Sequence, residues 1–218
     1  MTTPPQGLRE RKKQATRAAL REAALRLAVE RGPDKVRVED IAEAAGVSPR
    51  TYNNYFASRE QAIVSAVTAD REAHIAARVA ARPTDVRLAD AVTEAVIEQY
   101  TDTGEHAHEA LLLITNRPAL RDAFLATTAE IESPLTTVIT ERMPGSGVHT
   151  ARVLAASVAA AVRIALETWL RPANATQAHE GPMAGMLVVP SGSLSDHLRA
   201  ALAPLAPAFD AAEQHTRP

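Results

Sequence analysis

An all-α fold is what this 218-residue chain predicts, and three observations carry that expectation. Hydrophobic residues make up 46% of the chain and aromatic residues only 3%, so alanine and leucine must do most of the packing, which favours close-set helices over sheets. Apolar residues recur at i, i+3, i+4 and i+7 in one segment after another. Breakers divide those segments, among them Gly32-Pro33, Arg82-Pro83 and the run Met143-Pro144-Gly145-Ser146-Gly147. The length leaves room for one or two domains with a sizeable core.

Taken in order, Met1 to Gly7 reads as an arm, and a helix follows from Leu8 to Arg31. Leu20, Ala23, Ala24, Leu27 and Ala28 form its apolar side, while Arg9, Lys13, Arg17 and Arg21 recur every four residues on another. Val38, Ile41, Ala42 and Ala45 make the stripe of a short helix that Gly46 ends, with Val47 as the apolar anchor of the turn. Ser48 then restarts the chain as an N-cap, with Pro49 at the first helical position and Tyr52 and Phe56 four apart on the buried side. The sequence VEDIAEAAGVSPRTYNNYF is therefore helix, glycine turn, helix. Beyond it, single helices are expected over Ser58 to Ala81, from Thr84 or Asp85 to Tyr100, and over Glu105 to Thr115, Pro118 to Arg142, His149 to Arg171 and Ser193 to Ala206. Residues Pro172 to Gly192 form a connection longer than the usual loop limit of about 12 to 15 residues.

Charge divides the chain. Residues 1 to 60 hold 12 Lys and Arg against 8 Asp and Glu, and the remainder holds 12 against 18. A basic first quarter on an acidic body fits a nucleic-acid-binding module attached to a non-binding domain. In a helix-turn-helix the second helix meets base edges with its N-terminal residues while its neighbours hold phosphates. With Tyr52 and Phe56 inward, Pro49, Arg50, Asn53 and Asn54 are left to meet bases; Arg50 has the fork for guanine and the asparagine amides suit adenine. Arg9, Lys13, Arg37, Ser48, Thr51, Tyr55 and Arg59 are the expected phosphate contacts. For the basic row on the first helix, a solvated face is the alternative.

The run IAEAAGVSPRTYNNYF followed by ASREQAI, with its aromatic pair Tyr55-Phe56 and the basic residue opening the next helix, resembles the TetR-type bacterial transcriptional regulators. The resemblance is strong from about Arg9 to Ala66 and rests on architecture alone beyond that. It implies an all-helical homodimer, with a three-helix DNA-binding domain over residues 1–57 and a larger helical ligand-binding and dimerisation domain over residues 58–218. Release from a palindromic operator by a small hydrophobic effector is expected, because a ligand in the body can favour a dimer whose recognition helices are no longer one DNA turn apart; the opposite sign of regulation is the alternative. The sequence departs from the family pattern in places: Arg37 stands where a capping threonine or serine is usual, Pro33 where an aromatic residue commonly follows the glycine, Asn53 where tyrosine is common, and Arg59 where most members have lysine.

In the body, His74, Tyr100, Asn116, Arg117, Phe124 and Trp169 are the expected pocket residues, being polar or aromatic within aliphatic helices. Ala155 and Ala159 on one helix, and Leu194, Leu198, Leu202 and Leu205 on the last, are the expected dimer surface. Competing chemistry is poorly supported. Glu105-x-x-His108 has the spacing of one half of a di-metal carboxylate site, but no other histidine has Glu or Asp three residues before it. Gly145-Ser146-Gly147 lacks the third glycine of a dinucleotide fingerprint, there is no Gly-x-Ser-x-Gly elbow, and without cysteine there is no thiol nucleophile. No enzyme activity, cofactor or metal is therefore expected. With no disulfides and no uncharged apolar run approaching membrane-spanning length, the cytoplasm is the default. An architectural, non-specific DNA-binding protein and a helical-bundle metalloenzyme are the alternatives.

Overall fold

The computed structural model describes residues 7–68, 71–101, 114, 117–170 and 192–215, and these residues contain helices and turns but no strand. Contacts sort the chain into two units, one formed by residues 1–69 with 109–124 and the other by residues 70–108 with 125–218.

The first unit is built on α1 (Leu8–Arg31), which packs against α2 (Val38–Ala44) and α4 (Arg59–Val67), with α3 (Pro49–Tyr52) set against α2. Leu20, Ala24 and Ala28 of α1, Ile41 and Ala42 of α2, Tyr52, and Ala62, Ile63 and Val64 of α4 are buried and form its core. The turn after α2 closes as the glycine pattern demands. Gly46 has φ +69°, its N–H donates to Glu43 O, and the Val47 N–H reaches back to Ala42 O at 2.9 Å. This paired bonding satisfies the last carbonyls of α2 and needs a left-handed residue at Gly46. The unit runs past residue 57, because α4 packs with α1.

The single helix expected over Ser58 to Ala81 is two: α4 stops at Val67, and α5 spans Arg71–Ala81. Thr68 leaves helical geometry at φ −104°, ψ 8°, and its buried hydroxyl donates back to Val64 O. A β-branched residue bonding to its own preceding turn competes with helix continuation.

The second unit contains α5, α6 (Leu88–Thr101), α8 (Glu132–Arg142), α9 (Val148–Trp169), α10 (Leu194–Leu202) and α11 (Ala206–Gln214), while α7 (Pro118–Ala126) begins in the first unit and ends in the second. The single helix expected over Pro118 to Arg142 is interrupted by a 3-10 stretch at Thr127–Ile131. Pro134 has no N–H to give Glu130 O, and its ring crowds that carbonyl, so the preceding turn tightens. The same chemistry divides the last helix. Pro204 lies within a 3-10 turn at Ala203–Leu205 and Pro207 just after it, and helix resumes to Gln214 where an end at Ala206 is expected from sequence. The helix expected over Glu105 to Thr115 apart from Ile114, which is helical and buried, and the connection Pro172 to Gly192 apart from Gly192 itself, lie outside the described residues.

Helix α9 organises this unit. Ala151, Leu154, Ala155, Val158, Val162, Ala165 and Leu166 line its buried side, and it packs on α8 and α10. By length and composition α9 would pass for a membrane span, but it is not an uncharged run: it carries Arg152, Arg163 and Glu167 and buries one face in the protein. Two ion-pair groups tie the unit together. Arg87 pairs with Asp210 of α11 at 2.6 Å, while Glu213 accepts the Leu88 N–H at the start of α6. Carboxylates at this end of α6 also favour the helix dipole. Glu98 takes Arg78 at 3.1 Å and also Arg82.

Arg142 performs a structural task that its sequence position does not reveal. Its guanidinium donates to Val79 O, Arg82 O, Pro83 O and Val86 O at 3.0 to 3.3 Å, capping the end of α5 and the turn that follows. Replacing it with leucine leaves these carbonyls without their donor. Arg142→Leu is expected to lower unfolding stability by ~2 to 4 kcal/mol, read by urea denaturation; a loss below ~0.5 kcal/mol would mean that water replaces the guanidinium freely.

Candidate nucleic-acid interface

The second helix of the motif is one turn long. Ser48 caps it, accepting the Thr51 N–H at 3.1 Å on its hydroxyl oxygen, and Pro49 occupies the first helical position. Asn53 still donates to Pro49 O, but Asn54 and Tyr55 bond three residues back, to Thr51 O and Tyr52 O, as a turn. Asparagine has a low helix propensity, and two in succession favour an early end.

So short a helix needs external anchors, and Tyr52 supplies them. It is fully buried, its hydroxyl donates to Ser58 O at 2.8 Å, and its ring lies 5.8 Å from that of Phe56. Burial, reinforced by the nearby Glu60 carboxylate, pushes its phenol pKa up to about 12. Arg17 of α1 stands 5.6 Å over the Phe56 ring, a cation-π contact joining α1 to the motif.

With those residues inward, Pro49, Arg50, Asn53 and Asn54 are all exposed on the outer side. A groove of about 620 Å³ beside them is lined by Arg9, Lys12, Lys13, Thr16, Thr51, Asn54 and Tyr55. It brings together five of the residues singled out from sequence and adds Lys12 and Thr16. Those two were legible in principle: Arg9, Lys12, Lys13 and Thr16 stand at i, i+3, i+4 and i+7, one face of α1. The row taken at every fourth residue splits, because Arg17 turns to Phe56.

The phosphate donors differ in how free they are. The Ser48 and Thr51 hydroxyls bond each other at 2.9 Å, so one of their two hydrogens remains for an outside acceptor. Arg37 has no acceptor with which to cap α2. Instead its own N–H donates to the Asp40 carboxylate at 3.0 Å, and the exposed Arg37 side chain stands at the start of α2. Arg59 is the exception among the expected phosphate contacts. Its Nη1 donates to Asp34 O at 3.1 Å and Val36 O at 3.0 Å, and its Nε to Glu60 at 2.7 Å, so most of its donors are used inside the protein. Burial raises the Glu60 pKa, but the hydrogen bonds and charge of Arg59, the Ser58 hydroxyl and the backbone outweigh this and hold it below the usual carboxylate range.

The expected pocket residues that the structure describes divide between the two units. Arg117 is half exposed and pairs with Asp34 at 3.1 Å, and Phe124 is buried; both belong to the first unit. His74 is exposed because it lies off the stripe of Ile75, Ala76 and Val79 that α5 buries. Tyr100 and Trp169 are buried in the second unit, and Asn116 lies outside the described residues, as do Glu105 and His108. Sequence reading missed Arg71, whose guanidinium lies 4.4 Å from the Tyr100 ring; burial raises the Tyr100 pKa and Arg71 partly offsets it.

The expected dimer residues also need correction. Ala155, Ala159, Leu198 and Leu202 are buried within this chain, and Leu194 and Leu205 are half-buried. The apolar stripe of α9 serves its own core.

A buried helix-turn-helix presenting a polar outer turn, with a basic helix face beside it, defines a DNA-binding module of the major-groove type. Residues 20–66 match the model for bacterial regulatory proteins of the tetR family, over the stretch that holds the helix-turn-helix. It is also 34% identical over 146 residues to the HTH-type transcriptional regulator TcmR of Streptomyces glaucescens, a match covering 62% of this chain and 64% of that protein. The aligned stretch thus spans just under two thirds of the relative's length.

The groove yields a direct electrostatic test. Lys13→Ala is expected to reduce the slope of log affinity against log salt on duplex DNA by about 0.9 per lysine removed, with sequence preference intact. An unchanged slope would make Lys13 part of a solvated face.

Proposed function

We propose that this protein is a cytoplasmic, sequence-specific transcriptional regulator that binds a palindromic DNA operator as a homodimer and is released from it by a small hydrophobic effector. The observation carrying this reading is the pairing of an exposed reading turn, Pro49 to Asn54, with the basic groove of Arg9, Lys12 and Lys13 beside it. Base-reading and phosphate-holding chemistry then lie on one unit. The family-model match over residues 20–66 and the name of the relative point the same way. Repression relieved by effector follows if the ligand favours a dimer whose reading turns are no longer about 34 to 36 Å apart, because one half-site is then out of reach.

In this reading Pro49, Arg50, Asn53 and Asn54 meet base edges, and Arg9, Lys12, Lys13, Arg37, Ser48, Thr51 and Tyr55 hold phosphates. Tyr100 and Trp169 are the retained effector-site residues. The surface that meets a second copy is the outer side of α9, about a third of a turn round from Ala155 and Ala159. Val153, Ala156, Ala160 and Ile164 form an apolar stripe there, with Val153 64% and Ile164 54% exposed. Exposed large aliphatic residues in one line on a long helix suit helix pairing between subunits.

Selection of bound duplexes from a random pool tests the function, followed by a screen for small molecules that release them. A palindromic consensus is expected; recovery of unrelated sequences would favour the non-specific alternative. Arg50→Ala should cost ~1 to 3 kcal/mol and relax preference at one position in each half-site, whereas uniform weakening on every sequence would move Arg50 to the phosphates. The double variant Val153→Glu/Ile164→Glu is expected to sediment as a folded monomer, since a charged stripe opposes burial. A persistent dimer would place the interface elsewhere.

A further inference from the structure

We infer that Arg59 is a positioning residue which fixes the start of α2, and with it the reading turn, and that it makes no contact with DNA phosphate. The inference rests on the DNA-binding reading above, but its geometry stands apart from it. Arg59 opens α4 immediately after the Ser58 N-cap, where a basic side chain near DNA would ordinarily be read as a phosphate ligand. Its donors point elsewhere. A guanidinium has five N–H groups, and both hydrogens of Nη1 and the one on Nε are engaged with Asp34 O, Val36 O and Glu60.

What Arg59 holds is consequential. Val36 is fully buried, and it lies two residues before Val38, the first residue of α2. Arg59 therefore fastens the 33–36 turn to the first turn of α4 across more than twenty residues of sequence. The same turn of α4 receives the Tyr52 hydroxyl on Ser58 O, so one turn of helix grips the motif at both ends: before α2 through Arg59, and after α3 through Tyr52. Moving the guanidinium to a phosphate would strip two carbonyls of their donor and break its 2.7 Å pair with Glu60. Orphaned carbonyls are costly where water is scarce. A guanidinium already neutralised by a carboxylate is also a weak magnet for phosphate.

The test uses the full chain in three variants, Arg59→Ala, Arg59→Lys and Glu60→Ala, with two readouts. The first needs no DNA: amide hydrogen exchange at Val36, Arg37 and Ile41. Arg59→Ala is expected to speed exchange there about tenfold relative to the core of α1, and Arg59→Lys to restore little, because an ammonium cannot span both carbonyls and Glu60. The second is affinity for a duplex selected from a random pool by the wild type, measured across a salt series. Arg59→Ala should weaken binding about tenfold with the salt slope unchanged, Arg59→Lys should bind almost as weakly, and Glu60→Ala should weaken binding too. A phosphate role reverses all three. The slope would fall by about 0.9 for each phosphate no longer neutralised, lysine would rescue, and removing the Glu60 charge would tighten binding. Unchanged exchange at Val36, Arg37 and Ile41 in Arg59→Ala would also overturn the inference. Should Arg59→Ala not fold, Arg59→Lys and Glu60→Ala carry both readouts. If the wild type selects no duplex, the DNA-binding reading fails, and the exchange readout alone then decides whether Arg59 holds the turn.

Discussion

The reading turn depends on the bond from the Tyr52 hydroxyl to Ser58 O. A helix of one turn, Pro49–Tyr52, has almost no stability of its own, since nucleation fixes several residues for one hydrogen bond. Its direction must come from what it is tied to. Tyr52 is tied three ways: by complete burial, by its hydroxyl on the N-cap of the next helix, and by its ring on Phe56, which Arg17 covers. The Arg50, Asn53 and Asn54 side chains on the outer side are exposed and outside the core, which leaves that surface available for recognition.

The second unit solves a different problem with the same means. Its helices are rich in alanine and poor in aromatic residues, so they bury little area per residue and gain from polar fastening at their ends. Arg142 gathers four carbonyls at the end of α5, and Arg87 with Glu213 secures α11 at the start of α6. Helix α9 then has two apolar sides, one used by the chain's own core and one left outside. A helix with a second apolar side has unused capacity for association, and the proposed dimer takes it up.

Much of this was readable from residue pattern. The helix-glycine-helix motif was legible because Gly46, Ser48, Pro49, Tyr52 and Phe56 each carry a local signal with a mechanism. The basic stripe was legible as a stripe but not in its true members, because a spacing of four drifts around a helix and only the i, i+3, i+4, i+7 set stays on one face. The breaks near Thr68, Pro134 and Pro204 were missed for a different reason. A proline early in a turn, or a threonine bonding backwards, disturbs a helix without ending its hydrophobic period. Burial on α9 could not be assigned from sequence either, since alanines surround the helix and periodicity does not say which stripe meets the chain's own core. The task of Arg59 was hidden altogether, because its partners are backbone carbonyls more than twenty residues away.

In the proposed homodimer two reading turns, each beside one basic groove, account for recognition of symmetry in DNA as much as of sequence. Hydroxyl-radical footprinting of the wild-type protein on a selected duplex tests that claim most directly. Two protected patches on one side of the helix, centred one turn or about 34 to 36 Å apart, are the predicted result. Even protection along the whole duplex, or a single isolated patch, would contradict it.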